Sequence, residues 1–238
     1  MRASARLRTA LLLAAGSAAL VGRAASASDP PGTLAEYQLA LMKAGPEERK
    51  FLDERRLQAM QEERLLWLAT LHAEGKAIVS GPVWQGGDLR GVVVLRAASK
   101  AEAEEILRGD PFVRAGRSAP EIHPWWCDQT AFRKTADVGR LARTWLVLLR
   151  RPASAPSYDE KRLQEIQTGH MANIRKMAAS GDLVAAGPFG DDGTLRGIFV
   201  FGTADRERVR ALVAEDPAIK AGRLEAEILS WSIPEGEF

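Results

Sequence analysis

A shift of 106 residues maps this chain onto itself. Arg56, Leu57, Gln58 and Gln61 return as Arg162, Leu163, Gln164 and Gln167, and Gly75, Gly81 and Pro82 as Gly181, Gly187 and Pro188. Gly87, Leu89, Arg90 and Gly91 return as Gly193, Leu195, Arg196 and Gly197. Asp110, Pro111, Ala115, Gly116 and Arg117 become Asp216, Pro217, Ala221, Gly222 and Arg223, and Glu121, Ile122 and Trp125 become Glu227, Ile228 and Trp231. No insertion interrupts the register. A tandem duplication of this kind requires one supersecondary unit written twice, with each copy able to bury what the other exposes.

Both copies carry the same order of patterns. Apolar runs at 39–42 and 145–149 have strand length. Helical periodicity follows over about 52–74 and 159–180, each ending at a glycine, Gly75 or Gly181. Second strands at 77–80 and 183–186 are expected to stop at Gly-Pro, with turns at Gly86-Gly87 and at Asp191-Asp192-Gly193. Third strands at 91–96 and 197–201, second helices at 99–108 and 205–214, and fourth strands at 119–125 and 225–231 complete a βαββαβ order. This is the ferredoxin-like split βαβ unit. Its four-stranded sheet has helices on one face only, so the fold class is α+β with two units packed sheet to sheet as an intrachain pseudo-dimer. Repeat 1 spans 36–128, a polar linker 129–141, and repeat 2 142–238.

The N-terminus reads as a targeting segment. MRASARLR is basic, TALLLAAGSAALVG is apolar, and Ala25-Ser26-Ala27 supplies the small-x-small pattern for cleavage after Ala27. Residues 28–35 then form a flexible lead-in, and the mature protein is expected in the periplasm or secreted. The rival is an uncleaved anchor, which the short apolar run disfavours. Residues 1–27 hold four arginines and no acid, so the formal charge of +2 for the whole chain becomes −2 for the remainder. Nucleic acid is therefore not an expected partner. Cys127 is the lone cysteine and cannot form an internal disulfide. Beside Trp125 and Trp126, with no His or Lys adjacent, it reads as a passive residue rather than a reactive thiol.

HMANIRKMAASGDLVAAGPF, Gly197-Ile198-Phe199-Val200, EDPAIKAG and EILSW resemble the YciI-like (YCII-related) family, as do GKAIVSGP, GDPFVRAG and EIHPW in the first copy. The resemblance spans about 36–126 and 143–232. It implies a dimeric α/β-barrel type of fold and a site made of a His and an Asp, here His170 and Asp216. It also implies dehydrochlorinase-like or isomerase-like chemistry on small cyclic compounds. The first copy departs from the pattern: Arg64 stands at the His position while Asp110 remains.

The residues themselves leave two readings. His170 shares a helical face with Ile166, Ile174 and Met177, and an imidazole of ordinary pKa, about 6.5, transfers protons near neutrality. It is either a general acid/base oriented by Asp216 or a satisfied, partly buried histidine. Asp216 and Asp110, each before a proline, read first as helix N-caps. Arg64 cannot serve as a base; it either pairs with Asp110, the favoured reading, or clamps an anion. His72 is expected as a charge near a helix C-terminus and His123 as a rim residue on a strand. No His spacing suits a metal, and no Lys-Ser/Thr follows the glycines as a phosphate loop needs. The second helices, KAEAEE and DRERVR, read as solvated faces. The expected activity is cofactor-free proton transfer on a small cyclic or anionic molecule, of elimination or isomerisation type. The alternative is a non-catalytic ligand-binding or accessory envelope protein with relic sites.

Overall fold

The computed structural model describes residues 34–133 and 140–238. Repeat 1 comprises β1 (Leu34–Ala44), α1 (Glu54–Ala73), β2 (Ala77–Gly86), β3 (Leu89–Leu95), α2 (Lys100–Leu107), α3 (Pro111–Arg114) and β4 (Ser118–Asp128). Repeat 2 comprises β5 (Leu141–Arg150), α4 (Glu160–Ala179), β6 (Leu183–Pro188), β7 (Leu195–Phe201), α5 (Arg206–Ala214), α6 (Pro217–Lys220) and β8 (Glu225–Pro234). The long helices keep the 106-residue offset at both ends. Asp53 and Asp159 cap them by accepting from Arg56 and Arg162 backbone N–H groups. Gly75 and Gly181 follow them in the left-handed region, φ 70° and 78°. The expected targeting segment and residues 134–139 of the expected linker lie outside the described residues. Gln129–Ala131 form a 3-10 turn.

All eight strands join one sheet in the order β4-β1-β3-β2-β8-β5-β7-β6. Within each repeat this is the ferredoxin-like order. The two sub-sheets face each other across a shared interior built from Leu39, Leu41, Val92, Val94, Leu146, Leu148, Ile198 and Val200, all essentially inaccessible. Their neighbours on the same strands turn outward to the helices: Ala40, Met42, Val93 and Leu95 in repeat 1, and Val147, Leu149, Phe199 and Phe201 in repeat 2. Both faces are buried, which is why the strands read as continuous apolar runs instead of alternating ones.

The repeats meet at two corresponding seams, one a β2–β8 ladder and the other a single bridge between β4 and the segment after β6. Val83 pairs with Trp231, and Phe189, its counterpart, forms a bridge with Trp125 that nearly closes the barrel. Trp231 Nε1 donates to Gly81 O and Trp125 Nε1 to Gly187 O, each at 3.2 Å. A Cβ on Gly81 would lie 1.8 Å from Ser232 O, and one on Gly187 1.8 Å from Trp126 O. Only glycine admits the other repeat's backbone at this distance. The seam also corrects an expectation: β2 does not stop at Gly81-Pro82 but runs on to Gly86, since Val83 and Trp84 add to β8. Pro82 is tolerated because β2 is the edge strand of its own unit, and its pairing to β3 shifts register just beyond the proline. Phe132 and Phe238, also 106 apart, plug one end of the barrel with rings 5.5 Å apart, against Trp125 and Trp231 respectively.

Candidate functional site

Helix α4 turns Met177 into the helix-side core of repeat 2 with Ile174 half-buried against it, and buries Ile166 on the same face. His170 lies on this face with 13% of its side chain exposed. Asp216, fully buried, caps α6: its Oδ1 accepts from Ala218 N at 2.9 Å. The same carboxylate faces the imidazole. His170 Nδ1 is 2.9 Å from Oδ1 and 2.8 Å from Oδ2, and Asn173 Nδ2 donates to Oδ2 at 3.2 Å. Phe199, on β7, stacks on the His170 ring with centroids 5.9 Å apart and planes 26° apart.

Burial alone would push the Asp216 carboxyl upward. The hydrogen bond and charge of His170, with the donors of Asn173 and Ala218, outweigh it and hold Asp216 below its ordinary value. An ionised Asp216 only accepts, so Nδ1 is the protonated nitrogen facing it. Nε2 has no hydrogen-bond partner among the described residues. A neutral ring in this tautomer carries its lone pair at Nε2, and the buried carboxylate behind it stabilises the cation formed when a proton is taken up.

Repeat 1 places the same backbone around different side chains. Asp110 caps α3 through Phe112 N at 2.8 Å and is fully buried. Arg64 Nε donates to Asp110 Oδ2 at 2.9 Å, and its guanidinium lies 5.3 Å from the centroid of the Phe112 ring. Trp67 packs so closely on Gly109 that a Cβ there would meet its Nε1 at 2.6 Å. The counterparts of Trp67 and Phe112 in repeat 2 are Asn173 and Ala218. Two aromatics that crowd the first site are thus a small amide and a methyl in the second.

Asn173 and Phe199 did not stand out in sequence. Asn173 had a detectable signal, three residues past His170 on the same helical face. Phe199 had none, because its approach depends on how α4 sits over β7.

The remaining histidines are occupied. His72 Nε2 lies 2.9 Å from Ser80 Oγ, and burial pushes the pKa of the ring down. It is therefore not the helix-end charge expected from its position, since desolvation disfavours the cation. His123 lies at the rim, 7% exposed, with Nδ1 2.5 Å from Asp191 Oδ2 and Nε2 2.9 Å from Glu121 Oε1. It ties β4 of repeat 1 to the β6–β7 turn of repeat 2 and has no free nitrogen for chemistry. Burial pushes the Cys127 thiol up to about 12, which leaves it unreactive near neutrality. No group of three or more metal-binding side chains occurs among the described residues, and no described helix is long and apolar enough to cross a membrane.

The sequence model of the YCII-related domain matches the chain twice, over residues 38–126 and 145–232. No curated protein matches it. Among solved structures, a mutant chlorite dismutase from Candidatus Nitrospira defluvii is similar at 12% identity and a TM-score of 0.54, covering 86% of this chain and 92% of that one. A heme-binding protein from Thermus thermophilus is similar at 16% identity and a TM-score of 0.55, covering 84% and 92%. At these identities the likeness is one of fold.

Proposed function

Because the chain belongs to the YCII-related domain family in both halves, we propose that it is a small-molecule enzyme with one working site, in repeat 2, and one silent copy, in repeat 1. His170 is the general acid/base and Asp216 its positioning residue. The reaction is proton transfer on a small cyclic or anionic substrate, of the elimination or isomerisation type, without a cofactor. The observation that carries this reading is the clasp of both Asp216 oxygens on His170 Nδ1, with Nε2 unpartnered among the described residues. Asn173 and Ala218 stand beside the pair at the positions that Trp67 and Phe112 hold in repeat 1. Arg64 keeps its proton at any working pH and cannot share the role.

Residues 1–27 are proposed to direct export and to be removed, placing the enzyme in the periplasm or medium. The mass of the exported chain tests this: it should begin at Ser28. Retention of the leader would support an anchor instead.

The site is tested by long-range nitrogen–proton NMR of the His170 ring at a pH where it is neutral. The expected form carries its proton on Nδ1; a proton on Nε2 would put the lone pair against the carboxylate and sink the assignment. A chemical test is hydrogen–deuterium exchange at acidic carbons of a panel of cyclic acids and lactones. Exchange should be lost in His170→Gln, and equal exchange in that variant would leave a binding role only.

A further inference from the structure

The second helices of the two repeats stand differently on their sheets. In repeat 1, α2 and α3 both pack onto β4, and Ile122 beneath them is only 3% exposed. In repeat 2 neither α5 nor α6 makes comparable contact with β8, and Ile228, the counterpart of Ile122, is half-buried. Instead α6 draws toward α4, where Gly169 lets Pro217 approach: a Cβ there would meet its ring at 3.0 Å. Repeat 1 has Glu63 at that position. The withdrawal leaves a groove of about 850 Å³ between α5, α6, the 152–156 segment and the start of β8. Neither His170 nor Asp216 lines it.

The lining has two chemistries. Val213, Ile219, Leu224, Ala226 and Ile228 supply an apolar floor and end. Arg206 and Arg210 stand along the α5 wall, where repeat 1 has Lys100 and Glu104. Arg206 has no ion-pair partner among the described residues; its guanidinium lies 5.8 Å from the centroid of the Trp145 ring, which holds it in place. Arg210 is only loosely engaged, 3.4 Å from the exposed Glu207. Glu225 is the one acid lining the groove. The KAEAEE and DRERVR contrast is therefore more than two solvated faces, because the basic copy borders the open groove.

We propose that this groove is a second ligand site, for an organic carboxylate with an apolar body of ring size. Its carboxylate pairs with Arg206 and Arg210, and its body lies on Ile228, Ala226 and Val213. The groove is open along one side, and its two planar guanidinium groups favour a carboxylate over an uncharged ligand and repel a cation. The site stands on α5, α6 and β8, so it does not rest on the chemistry assigned to His170.

The test is methyl NMR of the full chain titrated with naphthoate and, in parallel, with uncharged naphthalene methanol. Naphthoate should shift Val213, Ile219 and Ile228 methyls saturably and leave Ile122 and Val113 unmoved. The Arg206→Gln/Arg210→Gln variant should weaken naphthoate roughly tenfold or more without changing the response to the alcohol; both arginines are surface-exposed, so the variant should fold. Absence of saturable shifts in the groove, equal shifts in repeat 1, or unchanged affinity in the variant would each overturn the site.

Discussion

Repeat 1 and repeat 2 begin their long helices at Asp53 and Asp159 and end them at Gly75 and Gly181, yet they use the resulting space in opposite ways. In repeat 1 the buried aspartate neutralises a permanent cation, with Phe112 and Trp67 packed around it. In repeat 2 the same aspartate holds an imidazole whose far nitrogen has no partner among the described residues. The comparison teaches that the Asp-Pro cap is a scaffold element first. It persists in both copies because α3 and α6 each need a buried acceptor at their first turn. Any chemistry in repeat 2 is borrowed from an acceptor the fold already requires.

Substitutions at matched positions test how far the two repeats differ. The largest effect is expected at the seams, where the repeats should behave alike. Gly81→Ala and Gly187→Ala each drive a Cβ into a carbonyl oxygen and should each lose about 3 kcal/mol or more in urea unfolding. A clear inequality between them would show that the ladder seam and the single-bridge seam yield differently to the same close approach.

The buried aspartates come next, and here the repeats should diverge. Asp110→Ala leaves Arg64 with a charge it cannot shed and should cost about 3 kcal/mol. Asp216→Ala loses a cap and an acceptor without stranding a permanent cation, so about 2 kcal/mol is expected. Denaturant midpoints of the two variants decide the order.

Glu237 stands where repeat 1 has Ala131. Burial raises its carboxyl from an ordinary 4.5 to about 7. The folded chain therefore binds this proton more tightly than the unfolded one, and stability falls as pH rises from about 4.5 through about 7. Glu237→Gln should gain about 1–2 kcal/mol at pH 8, discounted for the carboxyl's partial hydration, and almost nothing at pH 4. A gain independent of pH would assign the effect to packing.

The smallest effect on stability is expected from His170→Arg, which writes the repeat 1 residue into repeat 2. It should stay within about 1 kcal/mol, since Arg64 already sits on the same carboxylate in repeat 1. It should also abolish proton exchange. Retained exchange would move the base elsewhere.

Much of this is legible in the sequence. The 106-residue shift carried the duplication, the βαββαβ order and the sheet-to-sheet packing, and it set His170 against Arg64. What stayed hidden shares a physical cause. Asn173, Phe199, Trp67 and Phe112 act by filling or sparing volume beside a buried carboxylate, and spacing along one chain says nothing of volume across two elements. β2 ran past its proline because a strand from the other repeat came to meet it. His72 lost its expected role to desolvation, which depends on the packing of neighbours.

The unit, its repetition and the cap at each Asp-Pro follow from local sequence, because hydrophobic period, turn residues and N-cap chemistry act within a few residues. Only the tertiary structure decided which nitrogen of His170 meets Asp216, that the repeats join through Gly81 and Gly187, and that α6 leans on α4 and opens the groove beside β8. Those outcomes turn on contacts between segments far apart in the chain, where a methyl's width decides what fits.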